Sequence, residues 1–406
     1  MSDPPRPTAR QAAAGRAAAG RAAAGRAAAG RAARRVAATS QTTPTVAPPP
    51  GTVPTVAPPS AGGPTGKRAD MVTIADVARH AGVAVSTVSY VLSGKRTISA
   101  TTRERVLSSV RALGYHPNAG ARALASRRAN VIALVLPLRS GMHLPVLMQF
   151  ATAVVTTART FDHDVLLVTA DEGPAGLRRI AASAMVDGIV LMDVEMHDVR
   201  VPVLRTLERP SVLIGFPADS AGLTCIDLDF HRAGQVCVDH LAGLGHRRVA
   251  LLGAPAVVYD RDTGFAHRTR AGFVEAAARH GLAATAQPFP ETYPAIHREL
   301  TELLTRHPDL SGLVVHNEAA VGQVLAVLAA LGRRVPADIS VVAICPDEVA
   351  ERASPALTSV LIPAEEVGRQ AVSLLMRKLA GERVPESTLL DPRLTLRAST
   401  APPPRA

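Results

Sequence analysis

The sequence predicts a small all-α helix-turn-helix headpiece followed by a large α/β body of two lobes. Residues 73–114 contain three short helical periodicities separated by glycine. From Asn130 onward, short apolar runs alternate with amphipathic helical stretches, a pattern typical of parallel sheets covered by helices on both faces. The length of 406 residues fits two to three domains at about 100–200 residues each.

The headpiece should begin with a capped helix. Thr73 and Asp76 have the spacing of a capping box, in which each side chain bonds the backbone N–H of the other residue. Gly82 supplies the tight turn after this helix, and a second helix is expected over residues 85–92. A third helix is expected over residues 99–114, where it stops at a glycine.

The second helix is expected to bury Val88, Val91 and Leu92 and to leave mostly small polar groups open. The side chains on or near its open face are Ser86, Thr87, Ser89 and Tyr90. A helix, a glycine turn and a second helix of this kind lay the second helix in the major groove of DNA.

Residues 73–128 resemble the DNA-binding headpiece of the LacI/GalR family of bacterial transcription regulators. The matching strings are TIADVARHAGVAVSTVSYVLSG and TRERVLSSVRALGYHPNAGARALAS, in the order and spacing of the family. The resemblance implies sequence-specific binding to double-stranded DNA by residues 71–116. The contacts it implies there are made by Thr73, Val85, Ser86, Thr87, Ser89 and Tyr90. Of these, Val85, Ser86 and Tyr90 should face base edges.

Two positions depart from the family pattern. Ala84 stands where the family usually has Ser, which caps the second helix and meets a phosphate. Tyr90 stands where the family usually has Arg or another polar residue that reads bases. We therefore expect DNA binding to be retained, with an operator that differs from those of better-known relatives.

Residues 117–129 resemble the hinge helix of the same family. Pro117 breaks the chain and Asn118 is placed to cap a short helix. The resemblance implies that this helix orders on operator DNA, that Asn118 and Arg122 contact DNA, and that Leu124 enters the minor groove as an apolar wedge. The alternative is a flexible linker with a chance leucine.

Residues 1–70 differ in composition from the rest of the chain. AAAGR repeats four times over residues 12–31, and PTVAPP occurs twice in a Pro-rich stretch that follows. Such a segment has no apolar face to bury and is expected to be disordered. One interpretation is a basic arm that adds nonspecific DNA contact. Another is an incorrectly assigned start, with translation beginning at Met71, and a third is a transit peptide.

The positive charge is concentrated toward the amino terminus. The net charge of the whole chain is +11. Residues 1–70 hold ten basic and two acidic residues, and residues 71–128 hold nine and two, so the remainder is mildly acidic at −4. Basic charge neutralises phosphates, which adds sequence-independent affinity and makes DNA binding sensitive to salt.

The body shows the alternation of strands and helices in detail. The predicted strands are 131–137, 164–170, 186–192, 210–216, 248–253, 312–317 and 339–344. The predicted helices include 231–245, 270–281 and 318–332. In folds of this type, ligands bind at the carboxyl ends of the strands, so a cleft between two lobes is expected to hold one.

Residues 130–400 resemble the periplasmic-binding-protein-like effector domain of the same family. The matching strings are DLDFHRAGQVCVDHLAGLGHRRVALLG, RTRAGFVEAAARHG, RRVPADISVVAI and PALTSVLIPAEEVGRQAVSLL. The resemblance as a whole covers about residues 72–398 and leaves 401–406 as a short tail. It implies two Rossmann-like lobes, a small-molecule effector between them, and a homodimer.

The resemblance also implies which residues contact the effector. They are Asp229, Arg268, Arg270 and Asn317. The arginine of the family falls between Arg268 and Arg270, on Thr269, so the register is shifted here. Cys345 replaces a usual Asp, which removes an acceptor suited to sugar hydroxyls. For each of the four residues, helix capping or surface charge is the alternative role.

Other classes of protein find little support. The chain has no G-x-G-x-x-G, P-loop, H-E-x-x-H or G-x-S-x-G motif, so we expect no enzyme, no cofactor and no metal. Three cysteines without a C-x-x-C pair favour a reducing cytoplasm. A transport-type binding protein would have a signal peptide and no helix-turn-helix, and an architectural DNA protein would lack the body.

These observations together predict a cytoplasmic transcriptional regulator. The expected sign of regulation is repression, with operator affinity controlled by a small molecule of unknown identity. A homodimer holds two headpieces at a fixed spacing, so the operator should be nearly palindromic.

Overall fold

The computed structural model describes residues 72–93, 96–115, 128–183 and 185–404. The amino-terminal segment 1–70 and most of the predicted hinge, including Asn118, Arg122 and Leu124, lie outside these residues.

Three helices form the headpiece and confirm the predicted helix-turn-helix with a third helix behind it. They are α1 (Ile74–Ala81), α2 (Val85–Ser93) and α3 (Ala100–Ala112). The predicted capping box begins α1, because the backbone N–H of Thr73 donates to Asp76 Oδ2 at 2.9 Å and the N–H of Asp76 donates to Thr73 Oγ1 at 3.4 Å.

A small apolar core holds these helices together. Val77 of α1, Val88 of α2 and Val106 of α3 are fully buried against one another. Gly82 ends α1 with a φ of 64°, a left-handed conformation that glycine adopts without steric cost. The sequence therefore determines both the packing face of α2 and the turn that presents its other face.

The first lobe of the body contains a six-stranded sheet. Its strands are β1 (Val131–Val135), β2 (Asp164–Val168), β3 (Gly188–Leu191), β4 (Ser211–Ile214), β5 (Cys225–Leu228) and β11 (Ser387–Leu390). They lie in the order β11-β5-β4-β3-β1-β2, and every pair is parallel.

The second lobe contains another six-stranded sheet. Its strands are β6 (Arg248–Gly253), β7 (Ala283–Pro288), β8 (Gly312–Val315), β9 (Ser340–Cys345), β10 (Thr358–Leu361) and β12 (Leu394–Thr395). Their order is β12-β10-β9-β8-β6-β7, and the pairing of β10 with β12 is antiparallel whereas the others are parallel.

Helices cover both faces of each sheet. Those of the first lobe are α4 (Leu144–Thr160), α5 (Gly173–Ala182), α6 (Val201–Leu204) and α13 (Ala364–Leu379). Those of the second lobe are α7 (Phe230–Gly243), α8 (Ala256–Asp260), α9 (Gly264–Arg279), α10 (Tyr293–Arg306), α11 (Val321–Ala330) and α12 (Asp347–Arg352). In β1, Ile132 and Leu134 pack in the core with α4 and α13, and Ala133 and Val135 pack in the core with α5 and α6, as the alternation of side chains along a strand requires.

All seven predicted strands are confirmed, with ends shifted by a few residues. The helix predicted over 270–281 begins earlier, at Gly264, because the polar residues of its first turns hide the apolar period. The edge strands β7 and β11 were not predicted. Each is partly exposed, so its sequence lacks the apolar run that indicates a buried strand.

The chain passes between the lobes after β5, after β10 and after β11. Two glycines let helices of the second lobe approach closely, because a Cβ on Gly234 of α7 would collide with the backbone of α9 and a Cβ on Gly272 would collide with the backbone of His231. In the described residues, no helix is both long and apolar enough to cross a bilayer.

Candidate functional site

The exposed face of α2 carries most of the residues predicted to contact DNA. Val85 is 45% exposed and Tyr90 is 37% exposed, while Ser86 and Ser89 are also exposed and Thr87 is half-buried. Exposed apolar and aromatic side chains on a helix that follows a tight turn can contact base edges and thymine methyl groups.

One further residue joins this face. The Cζ atom of Arg96 lies 5.9 Å from the centre of the Tyr90 ring, within the range of a cation–π contact. Arg96 was missed by sequence reasoning because it follows the helix rather than lying in it. The signal available was its place in the basic GKR run after α2.

Thr73 lies at the start of α1, where its hydroxyl is part of the capping box. Its Oγ1 donates to Asp76 Oδ2 at 2.6 Å. The hydroxyl is therefore committed to the helix start in this structure, and Thr73 is exposed.

The body has a cleft between its lobes, at the carboxyl ends of strands from both sheets. The residues that line it include Gly141, Met142, His143, Val146, Leu147, Phe150, Met192, Asp193, Ile214, Asp227, Phe230, Pro255, Val258, Arg261, Phe265, Glu291, His316, Asn317, Glu318 and Ile362. Side chains at or after the ends of β1, β3, β4, β5, β6, β7, β8 and β10 line this cleft, because parallel strands place all their carboxyl ends at one edge.

Burial raises the pKa of two carboxyl groups in this cleft. Asp227, at the end of β5, is 8% exposed, and loss of hydration raises its pKa to about 7. Glu318 follows β8, and burial, together with the nearby carboxylate of Glu291, raises its pKa to about 7.

Aromatic rings form one wall of the cleft. The imidazole of His316 stacks on Phe230 with ring centres 5.5 Å apart, and its edge meets Phe265 at the same distance. Burial lowers the pKa of His316 to about 4, so the ring is neutral at physiological pH. Its Nδ1 atom is buried and has no hydrogen-bond partner.

Polar contacts join the two lobes beside the cleft. Arg261 of the second lobe donates from Nη1 to the carbonyl of Ser140 in the first lobe at 2.7 Å. The backbone N–H of Gly264 donates to the carbonyl of Val194 at 3.0 Å. Behind this contact, Arg139 binds Asp193 at 3.0 Å, so that carboxylate is already paired with a cation.

The structure brings one of the four residues expected to contact the effector into the cleft. Asn317 lines it, and its Nδ2 donates to the carbonyl of Phe289 at 3.0 Å. Its side chain therefore shapes the wall between β7 and β8.

The other three expected residues are not among those that line the cleft. Asp229 caps α7, because its Oδ1 accepts the N–H of Arg232 at 2.9 Å. Arg268 donates to the carbonyl of Pro217 at 3.1 Å, and Arg270 is exposed with its guanidinium over the ring of Tyr259. Asp229 has the capping role and Arg270 the surface role that were the alternatives, whereas Arg268 is half-buried and bonds backbone carbonyls.

Sequence reasoning missed Asp227, Glu318, His316 and Arg261 as cleft residues. The sequence did indicate three of them. His316 and Glu318 are polar residues in or just after the predicted strand 312–317, and Asp227 is a polar residue within the matching string that begins DLDF. Arg261 follows a short helix that had no sequence prediction, so its position depends on the tertiary structure.

Where the chain enters the first lobe, Asp187 holds the backbone. Its carboxylate accepts the N–H of Ala129 and the N–H of Asn130, each at 2.7 Å. Asp187 is 6% exposed, so this contact fixes the body end of the predicted hinge in a buried site.

A helix-turn-helix unit and a two-lobed body with a cleft between its lobes, in one chain, define the class of DNA-binding regulators that respond to a small molecule. Residues 73–118 match the family described as bacterial regulatory proteins, lacI family, and residues 238–400 match the periplasmic binding protein-like domain. The HTH-type transcriptional regulator CelR of Thermobifida fusca is 31% identical over 345 residues, which cover 80% of this chain and 98% of that protein. The chain therefore belongs to the lacI family of bacterial regulatory proteins.

Solved structures agree with this assignment. A complex of the transcriptional regulator CelR with cellobiose has a TM-score of 0.57 and 30% identity, over 81% of this chain and 99% of that one. The lac repressor dimer bound to operator and the anti-inducer ONPF has a TM-score of 0.69 at 23% identity, over 81% of this chain and 99% of that one. This second likeness shows the shared fold.

Proposed function

We propose that this protein is a repressor whose affinity for a nearly palindromic operator is set by a small molecule bound between its two lobes. The observation that carries the proposal is the joining of an exposed recognition helix, α2, to a body whose cleft collects the carboxyl ends of strands from both sheets. We assign residues 71–116 to DNA binding, 117–129 to the hinge and 130–400 to effector binding and dimerisation.

On the DNA side, Val85, Ser86 and Tyr90 read bases, and Arg96 adds a guanidinium beside Tyr90. Thr73, Thr87 and Ser89 contact phosphates or support the helix. In the hinge, Asn118 and Arg122 contact DNA and Leu124 wedges into the minor groove. The exposure of α2 and the family assignment support these roles.

On the effector side, the cleft residues Asp227, His316, Asn317 and Glu318 contact the ligand. The similar regulator CelR was solved in complex with cellobiose, which supports a molecule of about this size. Asp229, Arg268 and Arg270 contact the ligand only if the lobes rearrange around it.

We infer that the protein acts in the cytoplasm as a homodimer and catalyses no reaction. Another relative is described as a dimer on its operator, and CelR is described as a transcriptional regulator. These descriptions support a binding protein over an enzyme.

Selection from random DNA duplexes by the full-length protein tests this function. We expect a near-palindrome from the wild type, and a shifted half-site from Tyr90→Arg, with base preferences altered by about 1–3 kcal/mol. Tyr293→Arg is the matched control, because Tyr293 is a comparably exposed tyrosine in the body, 45% exposed, and should select the wild-type sequence. An unchanged sequence from Tyr90→Arg would place Tyr90 outside the groove, and no enriched sequence from the wild type would refute operator binding.

A further inference from the structure

The cleft has an excess of negative groups. Its described lining residues provide four carboxyl groups, those of Asp193, Asp227, Glu291 and Glu318, and one guanidinium, that of Arg261. The guanidinium is only partly engaged, because its Nη1 donates to the carbonyl of Ser140 while its buried Nε has no hydrogen-bond partner among the described residues. Asp193 is paired with Arg139, so the repulsion of an anionic ligand would come from Asp227, Glu291 and Glu318 when they are ionised.

Two of these carboxyl groups have no cation in contact within the described part of the chain. Asp227 Oδ1 accepts a hydrogen bond from the backbone N–H of Leu228 at 2.9 Å. The nearest cation that acts on it is Arg268, whose Nη2 is directed at the carbonyls of Phe216 and Pro217. The charged neighbour of Glu318 is the carboxylate of Glu291, which is repulsive.

A second feature of the cleft also points to an absent polar partner. His316 is 2% exposed and lines the cleft, and its Nδ1 has no hydrogen-bond partner. A buried polar atom without a partner costs about 1–3 kcal/mol. The aromatic rings of Phe230 and Phe265 lie against the same imidazole, and such rings attract a cation as well as apolar groups.

We propose that the effector of this protein carries a protonated amine, which the carboxylates of Asp227 and Glu318 bind, while its ring or chain packs on Phe230 and Phe265. This inference rests on the proposed function of the cleft and names the chemical class of its ligand. A buried carboxylate with no cation is unfavourable, and a bound ammonium group restores the missing opposite charge. One carboxyl group belongs to each lobe, so an amine that binds both favours the closed arrangement of the lobes.

Matched disaccharides test the proposal with the full-length protein. The probes are cellobiose, its analogue with amino groups at both 2-positions (the β-1,4-linked glucosamine disaccharide), and cellobionate, which carries a carboxylate. Binding is measured by isothermal titration calorimetry at neutral pH and low salt. We expect the diamine to bind at least about tenfold more tightly than cellobiose, and cellobionate to bind more weakly than either.

Two isosteric variants connect the preference to the named residues. Asp227→Asn and Glu318→Gln should each reduce the ratio of diamine to cellobiose affinity by roughly tenfold. Asp309→Asn is the control, because Asp309 is exposed and pairs with Arg248 at 2.8 Å outside the cleft, and it should keep the wild-type ratio. Thermal melting of each variant shows whether it is folded, and the two variants report on different lobes, so a folding defect in one leaves the other as the test.

The outcomes separate this proposal from the function on which it rests. If cellobiose binds as tightly as the diamine, or if the ratio survives in both folded variants, the amine proposal is wrong and the cleft remains an effector site. If none of the three sugars binds, both the amine proposal and the choice of this cleft for a sugar-sized effector are overturned.

Discussion

At the scale of single residues, Asp227 shows how a cleft can be built at the expense of stability. Its carboxyl group ends a buried strand and accepts one backbone hydrogen bond. Burial disfavours the ionised form, so the pKa is raised from its ordinary value to about 7. A residue of this kind is unfavourable for folding at high pH, where its carboxyl group is ionised.

The raised pKa predicts a specific pH dependence for Asp227→Asn. The pKa of this carboxyl group is higher in the folded than in the unfolded state, so the folded state binds the proton more tightly. The free energy of unfolding is therefore greatest at low pH and falls as the pH rises toward about 7. The variant should therefore melt at a higher temperature than the wild type at pH values above about 7, with a gain in unfolding free energy of at most about 4 kcal/mol.

Melting temperatures measured by circular dichroism across the pH range check this prediction. The advantage of Asp227→Asn should shrink below neutral pH and vanish near the ordinary pKa of the carboxyl group. A gain that is constant with pH would mean that packing, and not ionisation, distinguishes the two side chains.

At the scale of elements, one edge of the first sheet has an unusual surface. Strand β2 lies at this edge, and Leu166 and Leu167, which point to opposite faces, are 36% and 45% exposed. Helix α4 adds exposed Met148 and Val155. An apolar edge strand is a site for pairing with another chain unless it is covered, so we expect the second subunit of the homodimer to cover this surface.

Leu167→Glu should therefore weaken the dimer. A carboxylate placed in an apolar interface loses hydration without gaining a partner, and we expect the dissociation constant to rise by at least about tenfold. Sedimentation velocity over a range of protein concentrations measures it. The control is Leu389→Glu on β11, at the opposite edge of the same sheet and 49% exposed. Equal dissociation by both variants, or by neither, would move the interface elsewhere.

At the scale of the whole molecule, charge is divided between the ends of the chain. Residues 1–70 and 71–128 are both basic, while the rest of the chain is mildly acidic. Positive charge adds phosphate contacts that do not depend on the DNA sequence. The headpiece, by contrast, has its own apolar core and helix caps.

Removal of residues 1–70 should accordingly leave the folding of the remainder and its operator preference unchanged. We expect affinity for scrambled DNA to fall and the slope of log affinity against log salt to become shallower, because fewer counterions are released on binding. Fluorescence anisotropy with operator and scrambled duplexes at several salt concentrations measures both quantities. Loss of specific operator binding by the protein that starts at Met71 would show that the segment has a role in recognition.

The sequence by itself determined the local features of this protein. The Thr73–Asp76 capping box, the turn at Gly82 and the seven apolar strands all depend on short-range geometry, namely helix period, backbone hydrogen bonds and strand alternation. These features require neighbours within a few residues, so they are readable from the chain and were confirmed.

Only the tertiary structure decided which side chains share the cleft. Asp227 and Glu318 are far apart in sequence and line the same cleft because the carboxyl ends of the two sheets face one another. Arg268 had been expected there from its place beside a motif, yet its guanidinium bonds the carbonyls of Phe216 and Pro217. A motif fixes the position of a residue along a helix. The direction of its side chain depends on which unpaired polar groups the folded lobes place near it, and only the tertiary structure determines this.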